Sequence, residues 1–147
     1  MANVFDVANY FLNYADKDEA SGELISNLKL QKLVYYAQGF YLALFEEPLF
    51  SEEIEAWPHG PVAPALYHRY KEHGGAPIPA PTDFDAKEVF TEDQIELLDE
   101  VYNLYGQFSA WKLRNMTHEE APWVNNEEHN EVISHKELKE YFATQLS

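Results

Sequence analysis

The chain of 147 residues contains no cysteine. This excludes a disulfide framework and a thiolate metal site, and it suits a reducing compartment, since disulfides persist in oxidising ones. Long apolar runs are missing too, because polar residues interrupt every stretch of about 18 residues. The first residues have neither the basic segment nor the apolar core of a signal peptide. We therefore expect a soluble cytoplasmic protein without a membrane-spanning segment.

Basic residues are scarce, with 10 Lys and Arg against 26 Asp and Glu, which gives a formal net charge of -16. Such a surface repels phosphate backbones, so we expect no direct binding to nucleic acid. The acidity either keeps the domain soluble and monomeric or speeds its encounter with a basic protein partner. Charge alone favours the first interpretation. A monomer or a small homo-oligomer is expected.

Catalytic motifs are also absent from the sequence. It contains no Gly-x-Ser-x-Gly elbow, no Walker loop, no Gly-x-Gly-x-x-Gly and no His-Glu-x-x-His. Clusters of histidine and glutamate around His118 and His129 offer atoms that a metal could bind, but their spacing matches no known metal site. We interpret the first cluster as a capped helix start and the second as a solvated acidic loop. We expect no enzyme activity, no metal and no cofactor, and a metal-dependent hydrolase is the least favoured alternative.

A long apolar stretch, about residues 28–46, predicts the central helix of a single domain spanning residues 1–147. Hydrophobic residues make up 46% of the chain, which is enough for a core. Within the stretch, Val34, Tyr41 and Phe45 widen the apolar stripe beyond what one neighbouring helix covers, so the helix should be buried nearly all round. Ser26 and Asn27 are candidate caps, and Pro48 ends the helix. The stripe itself consists of Leu30, Leu33, Ala37, Phe40 and Leu44.

Gly39 lies in the middle of this predicted helix. Glycine there costs about 1 kcal/mol relative to alanine. We therefore expect Gly39 to lie where another backbone comes close. A tolerated glycine on a solvated face is the alternative.

Further helices are predicted where capping residues precede apolar stripes. With the central helix and one that runs towards Gly74, they give a mainly α fold, a bundle of five to six helices. The charged, aperiodic residues 16–23 predict a loop. The capping signals are Asn3, Thr91 with Gln94, Ser109, Thr117 with Glu120, and Ser134 with Glu137.

At most a short β-ribbon is expected, near residues 50–57. Phe50, Ile54 and Ala56 alternate there with polar residues, as in a half-buried strand. Leu24 and Ile25 are its candidate partner.

The segment Trp57-Pro58-His59-Gly60-Pro61 predicts a rigid turn after the strand. Gly60 supplies backbone conformations that other residues avoid, and Pro61, or less typically Pro64, is expected to begin the next helix. His59 either locks the turn through hydrogen bonds or faces a partner. We favour the locking role.

Ten Tyr, nine Phe and three Trp exceed what a small helical core usually needs, so some of them should lie at the surface. Exposed Tyr and Trp commonly anchor protein interfaces. The sequence does not divide these residues between core and interface. The candidate partner-binding residues are Trp57, His59, Tyr67, Tyr70, Tyr35 and Tyr36.

Three segments together resemble the Panacea domain, a family that includes SocA-like and GepA-like proteins of phages and mobile elements. They are residues 27–39, residues 55–62 with Trp57 and His-Gly-Pro, and Thr117-His118-Glu119 with Pro122-Trp123. Phe40 stands where the family more often has Trp. Pro58, just before His-Gly-Pro, is a variation in the second segment. The residues expected to carry the structural motif are Leu30, Leu33, Gly39, Gly60, Pro61, Thr117, His118 and Trp123.

The resemblance implies a mainly helical antitoxin that neutralises a protein toxin encoded beside it by direct binding. SocA-like members of the family act instead as adaptors that deliver the toxin to a protease, so a protease is a second candidate partner. A phage or prophage protein with another host-control role is a further alternative. The family has no established catalytic residues to transfer.

Overall fold

The computed structural model describes residues 2–17 and 25–146. That part of the chain contains eight α-helices and one two-stranded ribbon, and single 3₁₀ turns occupy Lys71–His73 and Glu127–His129. Six of the helices have seven residues or more, which confirms the predicted mainly α fold, while α4 and α7 are four-residue turns too short for periodicity to reveal. The elements are α1 Val4–Lys17, α2 Asn27–Phe45, β1 Glu55–Trp57, β2 Gly60–Val62, α3 Pro64–Tyr70, α4 Ala86–Val89, α5 Glu92–Tyr105, α6 Ala110–Thr117, α7 Ala121–Val124 and α8 His135–Ala143.

The predicted central helix is α2, and α1, α3, α5, α6 and α8 all pack against it. Ser26 caps its start by accepting a hydrogen bond from the backbone N–H of Lys29, and Glu46 ends it in a left-handed conformation. Residues 29–39 are all buried, so the expectation of burial nearly all round is confirmed for most of the helix. It is wrong for the last turn, where Leu44 and Phe45 are exposed because no element covers that face.

Gly39 does lie at a close approach, but the neighbour is an aromatic ring and not a backbone. A Cβ added to Gly39 would stand 2.2 Å from the ring of Phe142 on α8. The ring therefore occupies the space that a side chain at position 39 would need.

Most predicted caps are confirmed. Asn3, Thr91, Ser109 and Ser134 each accept a backbone hydrogen bond at the start of a helix. The predicted capping box of Thr117 and Glu120 is wrong. Thr117 lies at the end of α6 and its hydroxyl donates to the carbonyl of Arg114.

The ribbon is formed differently from the prediction. β1 pairs antiparallel with β2 across a two-residue turn of Pro58 and His59, and the backbone of residues 131–133 bonds to the other edge of β1. Ile25 was expected to pair with β1 but does not. Its carbonyl instead accepts a hydrogen bond from the backbone N–H of Ile78. Leu24 and most of the predicted loop 16–23 lie outside the described residues, while residues 16 and 17 belong to the end of α1.

Pro61 does not begin the helix that follows the ribbon. It lies in β2, and α3 begins at Pro64, whose missing N–H costs nothing at a first helical position. Across residues 2–17 and 25–146, no helix has the length and apolar character needed to cross a bilayer.

Candidate functional site

A surface groove of about 390 Å³ lies beside the β1–β2 hairpin, and we call it the hairpin groove. The hairpin, the start of α2, α3 and α6 all contribute to its lining. Its lining includes Leu28, Trp57, His59, Tyr67, Lys71 and Trp111.

Three large aromatic side chains, Trp57, Tyr67 and Trp111, line this groove. The rings of Trp57 and Tyr67 meet edge to face with their centroids 5.1 Å apart. Trp111 is 58% exposed, and the guanidinium of Arg114 lies 4.4 Å from its ring centroid. Large aromatic rings with a polar edge are suited to bind a protein surface, because they bury much area at a small entropic cost.

The turn of the hairpin is held by two aromatic side chains, one directly after α6 and one on α7. The indole Nε1 of Trp123 donates a hydrogen bond of 2.7 Å to the carbonyl of Trp57. The Nε2 of His118 lies 2.9 Å from the carbonyl of Pro58, to which it donates. Burial lowers the pKa of His118 more than this hydrogen bond raises it, so the imidazole is neutral at pH 7.

A buried lysine holds the second strand of the hairpin. Lys32 is fully buried on α2, and its Nζ donates to the carbonyl of Pro61 at 3.2 Å. Burial, with a smaller effect from the charge of Arg114, lowers the pKa of Lys32 to about 7.

Gly60 is required where the hairpin crosses this lysine. Its φ is +113°, and an added Cβ would lie 2.6 Å from Cε of Lys32 and 2.8 Å from Oγ1 of Thr117. A glycine is thus needed both for the backbone conformation and for the space. The hairpin is therefore a rigid support for the groove.

A partly buried carboxylate, that of Glu120, lies at the start of α7, the helix that contacts β1. The hydroxyls of Tyr35 and Tyr36 donate to Glu120 at 2.9 and 2.8 Å. Burial raises the pKa of Glu120 to about 7, although the two tyrosine hydrogen bonds oppose the shift. The ring of Tyr105 stacks on Tyr36 at 3.9 Å, and burial raises the pKa of Tyr105 to about 12.

Three of the candidate partner-binding residues come together in the hairpin groove, namely Trp57, His59 and Tyr67. Tyr35 and Tyr36 are fully buried, so they form part of the core and not of a binding surface. Tyr70 is half-buried on α3, where it packs against the core.

His59 is exposed at the hairpin turn. The imidazole that holds the turn is that of His118, so the locking role that we favoured for His59 is performed by another histidine. The turn geometry alone carried no information on which histidine would reach the carbonyl, because His118 is far away in sequence.

Trp111 is not among the site residues predicted from the sequence. The signal was nevertheless present, because Leu113 and Thr117 form the buried face of α6 at a spacing of four residues. Trp111 lies off that face, which predicts exposure.

His118 and His129 do not form metal sites in the described structure. Among residues 2–17 and 25–146, no group of three or more His, Asp or Glu side chains could hold a metal ion. His118 is directed to the hairpin instead, and His129 lies exposed in a 3₁₀ turn.

Comparison with known proteins finds a matching family and a curated relative. A family model described as "Antitoxin SocA-like, Panacea domain" matches residues 30–124. The protein "Antitoxin SocA" of Caulobacter vibrioides (strain NA1000 / CB15N) is 44% identical over 68 residues, which are 46% of this chain and 35% of the relative. The match thus spans about a third of that relative's length. No solved structure matches the chain significantly.

Proposed function

The chain belongs to the SocA-like antitoxin family that carries the Panacea domain, and from this membership we propose that it neutralises a protein toxin by binding it directly. The relative from C. vibrioides is named an antitoxin. The toxin is expected to be encoded by an adjacent gene.

The observation that carries this proposal is the convergence of Trp57, Tyr67 and Trp111 on one groove. Interfaces derive much of their binding energy from a few such aromatic residues. Because Trp123 and His118 hold the hairpin in place before binding, little conformational entropy is lost when a partner docks.

The proposed action is binding and not catalysis. The ionisable groups behind the groove are engaged in the fold: Lys32 bonds to a carbonyl, and Glu120 accepts from two tyrosines. The net charge of -16 would speed encounter with a basic toxin without setting where it docks.

Co-expression with the protein encoded by each adjacent gene tests the proposal. Wild type should restore growth to cells that express the toxin, while the toxin level stays unchanged. The double variant Trp57→Ala/Trp111→Ala should lose most of this rescue and should bind the purified toxin at least about tenfold more weakly.

Val124→Ala is the matched control, because Val124 is exposed to a similar degree but does not line the groove. Melting curves establish that each variant is folded. The proposal fails if neither neighbour is toxic, or if a folded double variant rescues growth as well as wild type does. A toxin level that falls during rescue would instead support delivery to a protease.

A further inference from the structure

A second groove, of about 250 Å³, lies at the other end of α2. It is bounded by the last turns of α2, by α5 and by the residues that follow α8. We call it the acidic groove. Its lining includes Phe40, Leu44, Leu97, Glu100, Leu104 and Leu146.

The floor and walls of the acidic groove expose large apolar side chains. Leu44 is 50% exposed, Leu104 54% and Leu146 40%. Seven large apolar side chains are exposed in the described part of the chain, and three of them line this single groove. Exposed apolar area of this kind is unfavourable in water, at roughly 25 cal/mol per Å², and its concentration in one place marks a binding surface.

The rim of this groove is negatively charged. Leu97, Glu100 and Leu104 follow one another at helical spacing on α5, and Asp93 and Glu96 lie exposed one turn earlier. The sequence of α5 contains no Lys or Arg.

The end of α2 adds further acid to the rim. Glu47 accepts a hydrogen bond from the hydroxyl of Tyr41, which also accepts one from Gln94 at the start of α5. Lys139 is paired with Glu46 at 2.7 Å and so is already neutralised.

We propose that the acidic groove binds a basic amphipathic helix of a partner protein. The elements around the groove are helices, and the hydrogen-bonding edges of β1 and β2 lie elsewhere, at the hairpin. An added helix can pack its apolar face between α2 and α5, as helices do in hydrophobic grooves. Lys and Arg beside that face would meet the carboxylates of Asp93, Glu96 and Glu100.

A second copy of this chain is a poorer occupant. Each copy carries a net charge of -16, so association through an acidic surface is opposed by repulsion. A partner with basic residues gains attraction from the same field.

The two grooves share no lining residue. On α2, Gln31 lines the hairpin groove and Phe40 the acidic groove, and nine residues of helix separate them by about 14 Å. The inference therefore does not depend on where a toxin docks, and the two proposals can fail separately.

The probe is a synthetic peptide of about 18 residues, or about five helical turns, with leucines at helical spacing and lysines elsewhere. Fluorescence anisotropy measures its binding to the full chain in about 0.05 M and about 0.5 M NaCl. A peptide of the same composition with the helical spacing scrambled is the matched control. Wild type should bind the amphipathic peptide at least about tenfold more tightly than the scrambled one, and high salt should weaken the binding.

Leu104→Asp separates a specific site from general attraction between opposite charges. It adds a negative charge, so non-specific attraction should rise, whereas loss of the apolar contact should weaken specific binding at least about tenfold. Val124→Ala should leave the affinity unchanged, because Val124 is exposed but lines neither groove. Leu104 is half exposed, so its substitution should leave the fold intact, which a melting curve verifies.

Three results of the peptide-binding experiment would overturn the proposal. They are equal binding of the amphipathic and scrambled peptides, undiminished binding by folded Leu104→Asp, and no binding at all. Self-association of wild type in sedimentation experiments that Leu104→Asp abolishes would also overturn it, because the occupant would then be a second copy.

Discussion

The hydroxyl of Tyr36 donates a hydrogen bond of 2.8 Å to the carboxylate of Glu120, a residue 84 positions later in the chain. This bond joins the central helix to the start of α7, the helix from which Trp123 holds the hairpin. That helix thus begins at a partly buried acid whose pKa is about 7.

Glu120→Gln should change how stability depends on pH. Burial raises the pKa of Glu120 from 4.5 to about 7 in the folded state, so the folded state binds its proton more tightly than the unfolded state. The stabilisation is complete below pH 4.5 and is lost as the pH rises towards 7. Because Gln stays neutral, wild type should lose about 1 to 2 kcal/mol relative to Glu120→Gln between about pH 5.5 and about pH 8.

Urea unfolding at these two pH values measures the difference. The lower value stays above the sequence pI of about 4.5, where the protein would lose solubility. Equal pH dependence in the two proteins would mean that Glu120 is not perturbed as described.

Lys32→Met should alter the pH dependence in the opposite direction and over a higher range. The pKa of Lys32 falls from 10.5 to about 7 on folding, so the folded state favours the neutral amine. The associated stabilisation is present above pH 10.5 and is lost as the pH falls towards 7. Wild type should therefore gain about 1 to 2 kcal/mol relative to Lys32→Met between about pH 7 and about pH 9, measured by urea unfolding. A wild type that gains nothing over this range would contradict the prediction.

Trp123→Phe should weaken the support of the hairpin. The substitution keeps an aromatic ring but removes the indole N–H that bonds to the carbonyl of Trp57. An unpaired carbonyl at this half-buried position should lower the free energy of unfolding by about 1 to 2 kcal/mol. Thermal unfolding measures the loss, and amide exchange should be faster in β1 and β2.

Trp111→Phe is the matched control for that experiment. Trp111 is 58% exposed, so its replacement should change stability by less than about 0.5 kcal/mol. Equal losses in the two variants would show that the indole hydrogen bond contributes nothing specific.

Gly39→Leu should destabilise the protein by about 1 to 3 kcal/mol, because the new side chain would overlap the ring of Phe142. Gly75→Ala is the control: an added Cβ meets nothing within 4 Å there, so the change should be close to neutral or slightly stabilising. The melting temperatures of the two variants and wild type measure these effects. A Gly39→Leu variant with the same melting temperature as wild type would refute the close approach of Phe142 to Gly39.

Where the sequence predicted structure correctly, the information was local. The caps at Thr91, Ser109 and Ser134 need only a side chain and a backbone amide three residues away. The same spacing at Thr117 and Glu120 does not form a capping box, because the carboxylate of Glu120 accepts its hydrogen bonds from Tyr35 and Tyr36 on a different helix. The partner of β1 was likewise misassigned, since a two-residue turn at Pro58 and His59 formed a hairpin instead.

The amino-acid sequence by itself determined the mainly helical fold, the central helix, the family and the lack of familiar catalytic motifs. These properties follow from composition, periodicity and short motifs, all of which are already present in the unfolded chain. The tertiary structure alone decided that Tyr35 and Tyr36 are buried while Trp57 and Trp111 line a groove. A residue's exposure depends on which distant element packs against its face, and that packing is set by the whole chain at once.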